Sequence, residues 1–197
     1  MIRTILASLL LSVSLVASSK TKLLEHIPLQ WRPTSDLRLG TAQMTATSVT
    51  IATFTDGRDN KALIGENRED NDPKPVTTSD DVGAFVSTHI RQLFDQAGIK
   101  TVDSNYGVTI HGEVTRFFAR EGDTYKSEVV VHLTVIDQNG KTLWKGLASG
   151  EATRFGRSYK VENYYEVLSD AVVNTVSSML QAADFQKAIS GHAIGES

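Results

Sequence analysis

Residues 107–154 read GVTIHGEVTRFFAREGDTYKSEVVVHLTVIDQNGKTLWKGLASGEATR. Apolar and polar side chains alternate along most of this stretch, which is typical of strands that bury one face. Asn139-Gly140 is a strong signal for a two-residue hairpin turn, and Glu121-Gly122 is a weaker one. We therefore predict a meander of three antiparallel strands. They are expected over 107–120, 124–137 and 142–154.

The two turns also predict the register between these strands. A two-residue turn at Asn139-Gly140 places Val135 opposite Trp144, and one at Glu121-Gly122 places Val108 opposite Val135. Because side chains alternate with period two, the three strands then carry their apolar residues on the same face. The last strand contributes mainly small side chains to that face, which would let a helix approach closely. They are Gly146, Ala148, Gly150 and Ala152.

Two further segments have the apolar periodicity of helices that pack by one face. From Asp80 to Ala97, apolar residues recur at intervals of three and four, and Gly98 supplies a C-terminal stop. A second helix of the same kind is predicted from Asn163 to Ala183. The predicted fold class is therefore α+β: a two-layer sandwich with a mostly antiparallel sheet and two helices packed on one of its faces.

The N-terminal residues have the three parts of a secretory signal peptide. Met1-Ile2-Arg3 is a short positive start, an uncharged apolar run extends to Val16, and small residues follow at 17–19. The alternatives are a buried helix or an uncleaved anchor, but the apolar run is shorter than a membrane-spanning helix requires. We predict a signal peptide over 1–19 and hence export of the protein.

The rest of the chain is expected to form one domain with two less regular ends. Residues 20–47 include two prolines in an alternating stretch and are predicted to form an extended segment that lays Trp31 on the body. The domain covers 48–185 and includes a long charged loop at 55–79. Residues 186–197 are predicted to be a flexible tail.

Composition excludes several classes of function. The 197 residues include no cysteine, which rules out disulfides, zinc fingers, iron–sulfur clusters and a cysteine nucleophile. A net charge of -3 argues against a nucleic-acid-binding protein. The chain has neither the Gly-x-Ser-x-Gly pattern of many hydrolases nor a glycine-rich nucleotide-binding motif. We therefore predict no cofactor, no nucleic-acid partner and no catalytic residues, and export without cysteine suggests a bacterial envelope.

One group of polar residues has the chemistry of a metal site. The predicted register places His111 directly opposite His132 on the polar face of the sheet, with Glu113 nearby, and two histidines with one carboxylate can bind a metal ion. The simpler interpretation is a pair of surface imidazoles on adjacent strands, because such pairs arise by chance. We favour the simpler interpretation and keep the three residues as metal candidates.

The segment between the last strand and the last helix is our first candidate for a partner-binding surface. It combines aromatic residues with an arginine, and Arg and Tyr are common anchors of protein interfaces. The alternative is a chain reversal in which Gly156 makes the turn and Tyr159 packs under the helix. The candidate residues in this segment and in the charged loop are Arg157, Ser158, Tyr159, Tyr164, Asp56 and Arg58.

Over 49–183, several short sequences taken in order resemble the YajG group of bacterial envelope lipoproteins. They are Phe54–Arg58, Ile64-Gly65, Gly98-Ile99, Gly140–Trp144, Gly156–Tyr159 and Leu168–Ala171. The resemblance implies a periplasm-facing protein of Gram-negative type without established catalysis. The chain departs from that group because it has no cysteine for lipid attachment. This departure implies a protein that is soluble in the periplasm or held at the membrane by a partner.

These observations together predict a non-enzymatic periplasmic module that binds or assists another envelope protein or complex. Peripheral association with the membrane and the oligomeric state stay open. Two alternatives remain: a metal-dependent hydrolase that uses the His111/His132 face, and a small lipid carrier with a pocket between sheet and helices. The strip of small residues argues against the carrier, because a closely packed helix leaves little volume.

Overall fold

The computed structural model describes residues 23–38, 48–69, 71–103, 107–156 and 158–190. Within them the chain has a mixed α+β fold, with a seven-stranded, mostly antiparallel open sheet and three helices. The strands are β1 Val49–Ile51, β2 Thr55–Asp56, β3 Leu63–Asn67, β4 Lys74–Thr77, β5 Val108–Glu121, β6 Thr124–Asp137 and β7 Thr142–Phe155. The helices are α1 Val82–Gln96, α2 Val161–Gln181 and α3 Ala183–Ile189. The predicted signal peptide over 1–19 lies outside the described residues.

Strand β5 is the centre of the sheet. On one side it pairs antiparallel with β6, and β6 pairs antiparallel with β7. On the other side β1, β2 and β3 run parallel to β5, one after another along its length, and β4 pairs antiparallel with β3. The sheet therefore ends in β4 at one edge and in β7 at the other.

The predicted register is confirmed on one side of β6 and wrong on the other. Val135 lies opposite Trp144, as predicted. The connection is longer than the predicted two-residue turn, since Ile136 lies opposite Thr142, and an irregularity between Val135 and Ile136 offsets the difference. Between β5 and β6 the prediction is wrong by two residues, because Val108 lies opposite Asp137 and not opposite Val135. The apolar residues still share one face, since a shift by an even number of residues keeps each side chain on its side of the sheet.

Two local features produce this shift. The turn after Glu121 is longer than two residues, since Glu121 pairs with Tyr125. Strand β5 also has a β-bulge between Val114 and Arg116, which reduces the shift from three residues next to the turn to two residues at Val108. Neither feature has a sequence signal as clear as Asn-Gly.

Helices α1 and α2 both pack against the sheet. Phe85 of α1 makes an edge-to-face contact with Phe117 of β5, with the ring centroids 5.9 Å apart. Helix α2 lies so close to β7 that a Cβ atom on Gly150 would overlap the backbone of Ala171 and Thr175. Among the helices that the structure describes, none combines the length and apolarity needed to cross a bilayer.

Residues 23–38, called the arm below, run in extended form over the body. Leu24 forms a parallel bridge with Val76 of β4. Trp31 stacks on His89 of α1 with the ring centroids 4.2 Å apart, and its edge meets Phe85. The prediction that Trp31 lies on the body is therefore confirmed.

Two regions that the sequence predicts to be irregular are ordered elements of the fold. The charged loop at 55–79 contains β2, β3 and β4, and its central strand is anchored by Ile64, which is completely buried. The tail predicted from 186 onward begins inside α3. This helix is fixed to the body because Phe185 and Ile189 are buried.

Candidate functional site

The carboxylate of Glu121, at the end of β5, is completely buried. Its Oε1 accepts hydrogen bonds from the Tyr125 hydroxyl at 2.5 Å and from the backbone N–H groups of Ser158 and Tyr159 at 2.9 and 2.7 Å. Its Oε2 accepts a hydrogen bond from the Tyr164 hydroxyl at 2.9 Å. The donors come from β6, from α2 and from the segment between β7 and α2, so one side chain ties three parts of the fold together.

The surroundings keep this carboxylate ionised. Burial by itself would raise the pKa of Glu121, but the hydrogen bonds just described, with a further one from Asn67, outweigh burial and hold the pKa below its usual value. Burial and the adjacent carboxylate raise the pKa of the Tyr164 and Tyr125 hydroxyls. Both tyrosines therefore stay protonated and act as donors at neutral pH. The cluster is a structural anchor, because none of these groups titrates near pH 7.

The anchor fixes Ser158 and Tyr159 in the segment that joins β7 to α2. This segment, residues 155, 156 and 158–160 of the described chain, is called the Phe155 loop below. Tyr159 has a φ of 46°, which costs energy for a residue other than glycine, and its N–H bond to Glu121 holds it there. The Tyr159 hydroxyl accepts a hydrogen bond from the Leu24 N–H at 3.1 Å and donates to the Pro75 carbonyl at 3.2 Å. Phe155 itself is 90% exposed. The loop thus presents an aromatic ring to solvent from a rigid base.

The structure separates the candidate residues that the sequence places in this segment. Ser158 is exposed and Tyr159 is half-buried against the core. Tyr164 is completely buried on α2, so it supports the loop from below and offers no surface to a partner. Arg157 lies outside the described residues.

Asp56 and Arg58 lie elsewhere and bind each other. The Arg58 guanidinium donates to the Asp56 carboxylate at 2.9 and 2.8 Å and to two backbone carbonyls of the turn that follows. Burial would raise the pKa of Asp56, but the bonds to Arg58 lower it. Arg58 is only 8% exposed. Because Asp56 pairs with Val114, whereas Glu121 ends β5, this ion pair lies roughly 20 Å from the loop at 3.3 Å per residue.

The two histidines of the metal hypothesis are not directly opposite each other. His132 lies opposite Glu113, and His111 lies opposite Thr134, because the register differs from the predicted one by two residues. The three candidate residues line one shallow depression on the open face of the sheet. Among the described residues, no group of three histidine or acidic side chains is placed to hold a metal ion.

Sequence reasoning missed the residues that organise this region. Glu121 was assigned to a turn, although its position in the alternation of β5 makes it an inward-facing residue. A charged residue at an inward position is the signal that could have identified the anchor, since buried carboxylates require several donors. Phe155 is not among the candidate residues that the sequence analysis names. The alternation of β7 does indicate its outward position, because Phe155 lies on the same exposed face as Leu147 and Glu151.

No family model and no curated protein sequence matches the chain. Among solved structures it is similar to a DUF330 protein from Xanthomonas campestris, with a TM-score of 0.57, 9% identity, and coverage of 81% of this chain and 94% of that chain. It also aligns with a PelC dodecamer from Paraburkholderia phytofirmans, with a TM-score of 0.44, 16% identity, and coverage of 75% and 93%. A candidate lipoprotein from Caulobacter crescentus aligns with a TM-score of 0.46, 14% identity, and coverage of 64% and 91%.

The likeness to the DUF330 protein shows that the two chains share a fold. At these identities the comparisons carry no information on activity. The resemblance to YajG stays a prediction. What defines the site is the geometry of this chain: an exposed aromatic ring at the end of β7, followed by a segment in which a buried carboxylate holds Ser158 and Tyr159.

Proposed function

We propose that the protein is an exported, non-enzymatic accessory module of the bacterial envelope, which binds another envelope protein through the Phe155 loop. In this proposal the helices and the sheet are the two layers of an α+β sandwich of YajG-like type, and the loop is free at one end of it. Export is supported by the signal-peptide pattern at 1–19. The mature protein would act in the periplasm, soluble or held at the membrane through its partner.

The observation that carries the proposal is the exposure of Phe155. Phe155 is 90% accessible to water, and burial of a phenylalanine side chain is worth about 1.5–3 kcal/mol, so a partner that covers the ring would gain that free energy. Aromatic residues are enriched among the few residues that dominate binding energy at protein interfaces. Ser158 and Lys160 are exposed beside it and supply polar groups for the rim of such an interface.

The rigid base of the loop also favours binding. Association costs free energy when mobile segments must be ordered, and a segment that is already ordered avoids that cost. Here Glu121 and the Tyr159 hydroxyl fix the backbone before any partner arrives. A strained, well-supported loop beside an exposed ring is a common arrangement for recognition.

The two alternative functions receive less support from the geometry. A metal-dependent hydrolase would need His111, His132 and Glu113 to converge, and their register places only Glu113 and His132 opposite each other. A lipid carrier would need volume between the sheet and α2, and at Gly150 the helix backbone lies directly on β7. We therefore keep the accessory module as the function that the structure supports best.

The test is site-specific cross-linking in living cells. A photoreactive amino acid replaces Phe155 in the tagged full chain, and the matched control carries it at Leu147, another exposed apolar residue, 63% accessible, on the open face of the sheet. We expect one discrete adduct with an envelope protein from position 155 that is absent from position 147. Phe155→Ala should then weaken binding of the purified, identified partner at least tenfold, because an interface anchor is worth about 2 kcal/mol or more.

Three results would contradict the assignment. The first is no adduct from position 155 in cells where the protein is folded and exported. The second is the same set of adducts from both positions. The third is capture of lipid alone at position 155, which would make the loop a membrane contact.

A further inference from the structure

The arm is attached to the body through its main chain, and most of its partners are side chains. Seven backbone N–H groups, those of residues 24, 26, 29, 32, 34, 35 and 38, donate hydrogen bonds of 2.6 to 3.1 Å to side-chain oxygens. The acceptors are Tyr159, Thr77, Asp80, Ser169, Asp170 and Ser177. Asp170 alone accepts from the N–H groups of Thr34 and Ser35 and from the Thr34 hydroxyl.

This pattern is unusual for an internal segment of a fold. About two-thirds of protein hydrogen bonds join backbone to backbone, and an extended segment normally obtains them by pairing with a strand. The arm makes two such bonds where it passes β4, between Ile27 and Thr77 and between Thr77 and Leu24. Beyond that point its N–H groups are bound by a row of hydroxyl and carboxylate groups on α2 and at the start of α1. Such a row can bind the main chain of any extended segment, whatever side chains the segment carries.

Side chains of the arm add selectivity to this attachment. Trp31 occupies a seat formed by His89 and Phe85 of α1. The Arg32 guanidinium lies over the Tyr165 ring of α2, 5.8 Å from its centroid. The groove also carries the carboxylates of Asp80 and Asp170, whereas the arm carries two arginines and one aspartate between 32 and 38. The groove therefore suits an extended segment with an aromatic residue followed by a cation.

We propose that the groove between α1 and α2 is a binding groove for an extended peptide segment of a partner chain, and that the arm is its intramolecular occupant. The partner segment would have the arm's chemistry: extended, aromatic, and basic next to the aromatic residue. A tethered occupant has an effective concentration of about 1 mM. A partner therefore enters only as the arm leaves, and its apparent affinity is its intrinsic affinity multiplied by the fraction of molecules in which the arm is open. The groove is a different surface from the Phe155 loop, and the inference stands without the proposed function.

The test uses the full chain and a fluorescent peptide with the sequence of residues 23–38. Trp31→Ala weakens the attachment of the arm to the groove. It leaves His89 and Phe85 of α1 unchanged, so the native peptide can bind in place of the arm. We expect the peptide to bind the Trp31→Ala chain at least tenfold more tightly than it binds the wild-type chain. Adding Asp170→Ala should reduce that binding at least tenfold, because three hydrogen bonds to the peptide are lost.

Two controls separate groove binding from nonspecific binding. Glu151→Ala in the Trp31→Ala chain removes an exposed carboxylate on the opposite face of the sheet and should leave peptide binding unchanged. A peptide with alanine in place of Trp31 should bind at least tenfold more weakly than the native peptide. Equal binding of the peptide to the wild-type and Trp31→Ala chains would overturn the proposal, and so would equal loss with Asp170→Ala and Glu151→Ala.

Hydrogen exchange on the wild-type chain gives a second readout that does not depend on any variant folding. If the arm opens while the body stays folded, its amides at 29, 32, 34, 35 and 38 should exchange at least tenfold faster than the amides of β6. Equal protection of the arm and β6 would overturn the proposal. A concentration-dependent dimer formed by exchange of arms would also overturn it, because the groove would then belong to a second copy of the chain.

Discussion

At the scale of single residues, Glu121 stabilises this fold more than its position beside a turn suggests. A buried carboxylate is costly unless donors surround it, and here four donors do. Two of them are hydroxyls of buried tyrosines, which would lose their acceptor without it. The ends of β5, β6 and β7 and the start of α2 are therefore joined at one pair of oxygen atoms.

Replacing Glu121 by alanine should be strongly destabilising. The variant leaves the Tyr125 and Tyr164 hydroxyls and two backbone N–H groups without their acceptor, and each unsatisfied buried group costs about 1–3 kcal/mol. We expect a loss of about 3 kcal/mol or more in the free energy of unfolding, measured by urea titration. Glu151→Ala, which removes an exposed carboxylate, should change stability by no more than about 0.5 kcal/mol. Similar losses in both variants would argue against the anchor.

The same residue should give the protein a specific dependence on acid. Because the pKa of Glu121 is lower in the folded chain than its ordinary value of 4.5, its contribution is fully present above that value and is lost as pH falls through the folded pKa. The difference in unfolding free energy between wild type and Glu121→Gln should therefore be constant near pH 7 and shrink below about pH 4.5. Asp56, Asp137 and Asp184, whose pKa values are also lowered, are common to both chains and cancel in the difference. A difference that does not change down to pH 3 would contradict this account.

At the scale of elements, the contact between α2 and β7 combines core packing with protection of a sheet edge. The glycine at 150 brings the helix backbone onto the strand. At that distance Asn174 and Ser178 of α2 reach around the edge and donate to the carbonyls of Glu151 and Ser149 at 2.7 and 2.9 Å. Unpaired groups on an edge strand invite pairing with another chain, and these bonds occupy two of them. Helix α2 therefore also protects the β7 edge of the sheet from pairing with another chain.

Substitution of Gly150 by alanine tests this close approach. The added Cβ atom would overlap the backbone of α2 at Ala171 and Thr175, and backbone cannot rotate away as a side chain can. We expect a loss of about 1–3 kcal/mol in unfolding free energy, as for other overpacked cores. Gly122→Ala is the matched control, because a Cβ there meets no atom within 4 Å. Equal effects of the two substitutions on the urea midpoint would show that α2 can move away from β7 at little cost.

Elements governed by short-range chemistry were predictable, and those governed by long-range contacts were not. Asn139-Gly140 locates the β6–β7 turn and gives the correct register from Val135 onward, although the connection has one residue more than predicted and an irregularity beside Val135 offsets it. The β5–β6 register was missed, because a bulge and a longer turn have no comparable local signal. The strands within 55–79 were missed because they are short, and because β2 and β3 pair with β5, which lies far along the chain, while β4 pairs only with β3.

The candidate site was predictable in place but not in composition. The sequence indicates the segment after β7 because aromatic residues and an arginine cluster there, and the exposed ring of Phe155 lies at its start. It does not show that Tyr164 points inward, since tyrosine suits both an interface and a core. Nor does it show that Asp56 and Arg58 neutralise each other, which depends on how β2 and the turn after it fold back.

At the scale of the whole molecule, the arm and the Phe155 loop meet at Tyr159. The Tyr159 hydroxyl binds the arm at Leu24 and also the Pro75 carbonyl of β4. The two surfaces that we assign to partners therefore share one side chain, although they face different ligands. Binding at one surface is therefore expected to change the affinity of the other for its partner, because both surfaces depend on this hydroxyl.

The serial arrangement of the arm's hydrogen bonds has a mechanical consequence. They follow one another along an extended chain, beginning at Leu24 and ending at Arg38. Tension applied to the chain before Leu23 would load these bonds one at a time, as when a strip is peeled, and peeling needs far less force than shearing all of them together. The first bond to break would be the one to Tyr159. A pull on the N-terminal end would thus break the contact with the Phe155 loop first and then expose the groove in steps, one hydrogen bond after another.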